Sequence, residues 1–371
     1  MQASERDKED LAILKRVARE AGDLALDYFE RSDVRFWDKS KGHPVTEADL
    51  AVNALIRDRL MTARPDYGWL SEESALSNST RTAERVWIVD PIDGTRAFMR
   101  QEPYWCVGIG VLERGLPRAG VIHAPVLKEF YSTHLGGGAF LNGKPIHVTG
   151  CAAEEGCRII TNEGMLTHPA WPVPWPEMEL AKPKPNATLL RLCWVASGQF
   201  AAVVTLWRKS DWDLAPATLL VQEAGGAATT HLGEPYLFNR GEPAQRSLLA
   251  AGKALHSLLS ARVKGVRLPD PNWTVRPFDT TQTTERQNMA ETSEAKQLLH
   301  IVIGGELKDV TDVEFEDLSK IDFVGAFPSY KAAYDAWKGA AQRTVDNAET
   351  RYFILHAHKL LDPETGDHHH V

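Results

Sequence analysis

The run Val86-Trp87-Ile88-Val89 leads directly into Asp90-Pro91-Ile92-Asp93-Gly94-Thr95, and no other stretch constrains the chain as much. A short apolar run bounded by turn residues reads as a buried strand over 86–90. It delivers Asp90 to the strand's carboxyl end. Pro91 fixes φ and helps turn the chain, so the Asp93 carboxylate can converge with that of Asp90. Two carboxylates held that close repel each other unless a cation lies between them, and hard oxygen ligands suit Mg2+ or Ca2+. Gly94 and Thr95 stand at an expected helix start, where N–H groups and the helix dipole favour a phosphate. A metal cluster beside an anion seat is the equipment of phosphoryl chemistry. The same residues read equally as an ordinary strand–turn–helix in which Asp93 caps the helix.

Two further acidic sites matter. Ser71-Glu72-Glu73 taken alone reads as a solvated face. Trp212-Asp213 precedes LAPATLLVQEAGG, a helix expected over 213–224 and stopped by Gly225-Gly226, with Asp213 as its N-cap and Pro216 in its first turn.

The rest of the chain supplies a frame for these acids. Leu11, Leu14, Ala18, Ala21, Ala25 and Tyr28 recur at helical spacing, predicting a helix over 8–30. A second helix is expected from Thr46, with Val52, Leu55, Ile56 and Arg59 on one face and Thr46-x-x-Asp49 as a capping box. Between 104 and 148 the pattern is β-rich, with a tight hairpin turn at Asn142-Gly143. Gly136-Gly137-Gly138 reads as a loop, since it lacks a phosphate-loop or dinucleotide context. Residues 165–187 are rich in Pro and Trp and read as irregular; an apolar pattern resumes over 188–207, with a helix over 189–196. Residues 266–296 hold Pro, Thr and polar residues with little periodicity and read as a linker.

Three separated motifs, LSEES at 70–74, WIVDPIDGTRAF at 87–98 and WDLAPATLLVQEAGG at 212–226, with PVTEAD at 44–49 upstream, resemble the inositol monophosphatase family of Mg2+-dependent, lithium-sensitive phosphomonoesterases. The resemblance covers about residues 8–262. It implies a layered αβαβα sandwich of the inositol monophosphatase/fructose bisphosphatase type, with one subdomain over 1–148 and a second over 149–265. It implies two or three Mg2+ ions held by Glu72, Asp90, the Ile92 carbonyl, Asp93 and Asp213. Glu72 and Thr95 resemble the pair that orients the attacking water, and Gly94 and Thr95 the phosphate seat. Asp93 and Asp213 also border the substrate. Asp49 resembles a residue that helps hold a further, weaker metal, a role compatible with its capping box. Lys39 or Lys41 matches a nearby lysine of the family. Two departures, Pro216 in place of a small residue and Asn186-Ala187-Thr188 in place of Gly-Ser, touch substrate contacts more than metal ligands.

LSEE, Ala124-Pro125-Val126 and the run from Pro183 through Leu189 to Arg191 resemble the 3'(2'),5'-bisphosphate nucleotidase branch, the CysQ type. That branch removes the 3'-phosphate of adenosine 3',5'-bisphosphate, a by-product of sulfate assimilation. Inositol 1-phosphate or a related sugar phosphate is the alternative substrate. A second phosphate needs a second cationic seat; Arg191, Lys184, Arg208 and Lys209 are the candidates, Arg favoured for bidentate geometry. Trp194, Trp207 and Trp212 read as core before they read as an adenine platform.

Residues 297–371 resemble a small bacterial domain of unknown function, expected as a small α+β unit with strands at LLHIVIGG, Phe323–Phe327 and RYFILHAH and a helix around 329–346. The unit carries 7 Lys/Arg and 13 Asp/Glu, a poor donor of phosphate contacts. Partner binding, assembly or regulation is the role left for it. His356, His358 and His368–His370 read as satisfied or exposed rather than metal-binding.

Composition excludes other classes. A formal charge of −8 argues against a nucleic-acid partner. No apolar run approaches the roughly 20 residues of a membrane span, and MQASERDKED has no signal region. Four cysteines (Cys106, Cys151, Cys157, Cys193) without CxxC or zinc spacing suit buried thiols in a reducing, cytoplasmic setting.

Overall fold

A computed structural model of the chain describes residues 4–31, 34–40, 43–74, 83–167, 171, 173–266, 300–306, 315–327, 332–334, 336–337 and 350–355. It divides into two units, residues 1–281 and 282–371.

The first unit opens on α1 (Glu5–Phe29), three residues earlier than apolar periodicity predicts. A capping box sets that start: the Asp7 N–H donates to Ser4 Oγ at 3.2 Å and the Ser4 N–H to Asp7 Oδ2 at 2.9 Å. The hairpin β1 (Phe36–Ser40) and β2 (His43–Thr46) follows, then α2 (Glu47–Ala63), capped by the Thr46–Asp49 box as expected. The main sheet is β3 (Gly68–Ser71), β4 (Arg85–Asp93), β5 (Cys106–Glu113), β6 (Leu116–Ala124), β7 (Glu129–His134), β8 (Ala139–Leu141) and β9 (Lys144–Pro145), in that spatial order. β3 and β4 are parallel and the remaining pairs antiparallel. Asn142 and Gly143 make the two-residue turn between β8 and β9 with φ of 50° and 78°, the positive values that a tight hairpin demands.

A second sheet holds β10 (Arg158–Ile160), β11 (Glu179–Leu180), β12 (Ala202–Thr205), β14 (Gly226–Thr229) and β16 (Leu248–Gly252), ordered β11-β10-β12-β16-β14. β13 (Lys209–Ser210) and β15 (Ala244–Gln245) form a small antiparallel pair. Between the sheets lie α5 (Thr188–Ala196) and α6 (Ala215–Glu223), preceded by a short α4 (Glu163–Leu166); α7 (Lys253–Val263) covers the outer face. α4 and β11 interrupt the stretch expected to be irregular.

Strand alternation makes the layers. Trp87 and Val89 join α1 and α2 in one core; Val86 and Ile88 face the other way, into a core with Leu189, Leu190, Leu214 and Val203; Ile159, Val204 and Leu249 pack on Leu255 and Leu259 of α7. The result is the expected αβαβα sandwich. The glycine run is the expected loop, its Gly136 and Gly138 N–H groups donating to the Glu223 carboxylate at 2.8 and 2.9 Å. Cys106, Cys157 and Cys193 are buried and Cys151 half-buried, all free thiols.

One feature of the first core is absent from any apolar pattern. Asp7 and Asp10 of α1 are fully buried, and Arg85 at the start of β4 donates to both, at 2.9 and 2.7 Å. Arg118 adds a 2.6 Å bond to Asp7. Burial alone would raise the Asp7 carboxyl, but hydrogen bonds from Arg118 and Ser4 bring it down to about 2. The signal in the sequence was two acids on the helix face that also carries Leu11 and Leu14.

The second unit holds an antiparallel sheet, β18 (Asp322–Phe327), β17 (His300–Glu306) and β19 (Thr350–Leu355), in the order β18-β17-β19. Residues 332–334 and 336–337 are helical; Trp337 Nε1 donates to the Tyr352 carbonyl at 2.8 Å and its ring stacks on Tyr334. The remainder of the expected helix, the linker beyond Val266, Lys41, His356, His358 and His368–His370 lie outside the described residues, as does the Lys39 side chain.

Candidate active site

β4 brings the acids together by an irregularity. Asp90 lies opposite Gly108 and Asp93 opposite Cys106 on β5, so three steps on one strand match two on the other. In a regular strand, residues three apart point to opposite faces; the extra residue of this bulge turns them to one side. The strand therefore continues through Pro91 to Asp93 instead of turning at the proline. Proline has no N–H to lose, which suits it to a bulge. Gly94 then takes a φ of 98°, and a Cβ there would stand 2.8 Å from the Tyr104 carbonyl oxygen. Gly94 is the N-cap of α3 (Thr95–Met99) and no side chain caps that helix, so Asp93 is not its cap. Instead Asp93 Oδ2 accepts the Leu189 N–H at 2.5 Å, at the start of α5.

The other acids arrive on separate elements. Glu72 follows β3, and its N–H donates to the Val89 carbonyl at 3.3 Å, which sets it beside Asp90. Asp49 Oδ2 accepts the Thr46 N–H and hydroxyl at 2.8 and 2.6 Å, while Oδ1 accepts the Thr95 hydroxyl at 3.4 Å. The Thr95 hydroxyl also faces the Ile92 carbonyl at 3.1 Å. Asp213 Oδ2 accepts the Ser210 N–H at 3.2 Å. The N-cap of α6 is Leu214, with no side-chain bond, so the expectation of Asp213 as a cap is overturned.

These five carboxylates share one field. Asp90 is 1% exposed, and burial followed by Glu72, Asp93, Asp213 and Asp49 pushes its carboxyl well above the usual range. Asp93 is pushed up to about 7 by burial and Asp213, against the Leu189 N–H and Lys209. Asp213 rises to about 6 through burial, opposed by Lys209. Asp90 Oδ1 is buried without a hydrogen-bond partner. A buried anionic oxygen lacking a donor is costly and fits a cation ligand. Still, among the described residues no three His, Cys, Asp or Glu side chains converge tightly enough to hold an ion as they stand. Asp93 and Asp213 each turn one oxygen toward a backbone N–H.

The basic candidates divide. Lys209 Nζ donates to Thr188 Oγ1 at 2.9 Å. Arg191 is 9% exposed, its Nε on the Pro185 carbonyl at 2.7 Å and Nη2 on that of Asn186 at 3.3 Å. Lys184 donates to Asn162 Oδ1. These three cations feel one another, and Arg191 and Lys209 also feel Asp93 and Asp213. Arg208 is drawn away to Glu242. Trp194 stacks on Phe200 and is core, Trp212 packs against the same core, and Trp207 is exposed. Pro216 is a packing residue: a Cβ on Gly120 would stand 2.8 Å from its carbonyl oxygen. Its departure from the family pattern therefore concerns helix–sheet contact, not substrate. Sequence reasoning missed the Leu189 N–H as the partner of Asp93, because a backbone donor leaves no residue-type signal.

Comparison with known proteins agrees with this geometry. The family model described as inositol monophosphatase family matches residues 7–267, and one described as a domain of unknown function (DUF4170) matches residues 298–357. A histidinol-phosphatase of Chlorobaculum parvum is 34% identical over 267 residues, covering 70% of this chain and 98% of that protein. An inositol-1-monophosphatase of Mesorhizobium japonicum is 32% identical over 268 residues, covering 68% and 98%. The solved structure of the extragenic suppressor protein SuhB of Bartonella henselae superposes with a TM-score of 0.58 at 26% identity, covering 69% of this chain and 99% of that one.

Proposed function

The chain belongs to the inositol monophosphatase family, and from that premise we propose that it is a Mg2+-dependent phosphomonoesterase acting on a small phosphate ester. One observation carries the reading: Asp90, buried on β4 just before its bulge with Oδ1 unpartnered, lies in the field of Glu72, Asp93, Asp213 and Asp49. Such an assembly keeps its charge only with cations present. The family is generally Mg2+-dependent. Glu72, Asp90, Asp93, Asp213 and the Ile92 carbonyl would hold two or three Mg2+ ions. When bound, Mg2+ supplies positive charge to the phosphoryl oxygens and acidity to water.

The chain's own groups then have distinct tasks. The Thr95 hydroxyl, pinned between Asp49 Oδ1 and the Ile92 carbonyl, presents a fixed oxygen to the attacking water. Glu72, set next to Asp90 by its N–H on the Val89 carbonyl, takes up that water's proton. The backbone N–H groups of Gly94 and Thr95, at the first turn of α3, seat the phosphoryl oxygens. Attack is in line with the departing ester oxygen, on the side bordered by Asp93 and Asp213, where that oxygen takes a proton from solvent water and leaves as the alcohol.

The leaving group faces Lys184, Arg191 and Lys209. Three cations favour a leaving group with its own negative charge, and adenosine 3',5'-bisphosphate has one. They disfavour an ester bearing an ammonium, such as histidinol phosphate. Inositol 1-phosphate is the second reading, favoured by the Arg191 guanidinium being already engaged by two backbone carbonyls. A panel of the three esters, assayed for phosphate release with and without Mg2+, decides: the bisphosphate is expected to give the highest kcat/KM and histidinol phosphate the lowest. The second unit is left to partner binding, assembly or regulation, and the enzyme to the cytoplasm. Among the described residues no helix is long and apolar enough to cross a membrane.

A further inference from the structure

Lys209 is placed where a cation is least expected beside a cation site. Pairing of β13 with β15 fixes its backbone, Lys209 opposite Gln245. Its Nζ is tied to Thr188 Oγ1 at 2.9 Å, at the first residue of α5. The next residue, Leu189, holds Asp93 through its N–H, and Ser210, next to Lys209, holds Asp213 through its own. The Thr188–Lys209 bond thus stands between the two backbone donors that anchor these carboxylates. The ammonium feels Asp213, Asp93 and Asp90, with Arg191 as the neighbouring like charge.

We propose that Lys209 is a built-in counter-cation for Asp213 that weakens Mg2+ binding on that side of the carboxylate cluster. This rests on the reading of the cluster as a Mg2+ site. A tethered ammonium cannot leave, and it satisfies part of the negative charge that a divalent ion would otherwise claim. An ion entering beside Asp213 must also approach that fixed positive charge at short range, where the low dielectric of the interior strengthens repulsion. The chain thereby keeps a fixed positive charge next to the Ser210 anchor of Asp213, at the cost of affinity for the ion that Asp213 shares.

The test is Mg2+ titration of the full chain at pH 8, by calorimetry and by the Mg2+-induced rise in Tm, for wild type, Lys209→Met and Lys209→Arg. The weakest Mg2+ step should tighten at least tenfold in K209M, and K209R should match wild type. Thr188→Val removes the acceptor that holds Nζ but leaves the charge; it should tighten the same step at least threefold, and serves if K209M does not melt cooperatively. Mg2+ binding no tighter in K209M and T188V than in wild type overturns the inference. So does an equal shift in K209R. A wild-type chain that binds no Mg2+ overturns the metal site itself, and this inference with it.

Discussion

Asp93 accepts a hydrogen bond from the Leu189 N–H at 2.5 Å across 96 residues of chain. That bond joins the end of β4 to the start of α5, so the main sheet and the inter-sheet helix meet at the site. It also supplies the start of α5 with an acceptor that Ala187, its N-cap, lacks.

Asp93→Asn keeps an acceptor for that bond and removes one charge from a crowded acid cluster. Turnover should fall by at least about a hundredfold, as expected when a group that stabilises transition-state charge is lost. The metal-free Tm should be no lower than wild type, because like-charge repulsion is relieved. Turnover near wild type at saturating Mg2+ would remove Asp93 from the machinery.

The pH dependence of Mg2+ binding follows from the raised carboxyls. Asp93 at about 7 and Asp213 at about 6 bind protons in the folded chain that the unfolded chain has already released. Their protonated folded form is favoured, so this contribution to metal-free stability is full below the unfolded value near 3.8 and fades as pH rises through about 6 and 7. Cation binding must expel those protons. The Mg2+-induced rise in Tm should therefore be small at pH 5 and grow through pH 8. An increment that is flat or shrinks over that range contradicts the assignment.

Arg85→Ala removes the one cation shared by the buried Asp7 and Asp10, leaving Asp7 to Arg118 and Asp10 to Arg64 and Tyr67. Breaking a buried ion pair by removing one member costs about 3–5 kcal/mol, and urea unfolding should show a loss of that size. The depressed Asp7 carboxyl, near 2, gives stability present above the unfolded value of 3.8 and lost as pH falls through about 2; because Arg118 holds it down, acid unfolding of Arg118→Ala should begin at higher pH than in wild type.

Gly120→Ala forces a Cβ to 2.8 Å from the Pro216 carbonyl oxygen. Backbone cannot move aside as a side chain does, so overpacking should cost about 1–3 kcal/mol, read as a lowered Tm. An unchanged Tm would show that α6 is free to lift off the sheet.

Much of this was legible because the signals were local. The Thr46–Asp49 capping box and the Asn142-Gly143 turn depend on residues within a few positions of one another, and each takes the form its local chemistry demands. The relationships that run through the backbone were not legible. Apolar spacing says nothing of a bulge that brings Asp90 and Asp93 to one side, so a turn at Pro91 was the natural reading. An acid before a helix resembles an N-cap, yet Asp213 is held by Ser210 and Asp93 by Leu189. Pro216 reads from the sequence as a change at the substrate, yet it packs on Gly110 and Gly120. In each case the decisive partner is a backbone group or a glycine, whose identity carries no chemical signature in the chain.

The central claim is that the buried acid cluster works through a divalent cation to hydrolyse a phosphate monoester. Phosphate release from adenosine 3',5'-bisphosphate and from inositol 1-phosphate, by wild type and by Asp90→Asn, with Mg2+ and with excess chelator, tests it most directly. The account predicts release from at least one ester by wild type with Mg2+, and loss of nearly all of it both on chelation and in D90N. Undiminished release under chelation, or a D90N chain as active as wild type, would contradict it.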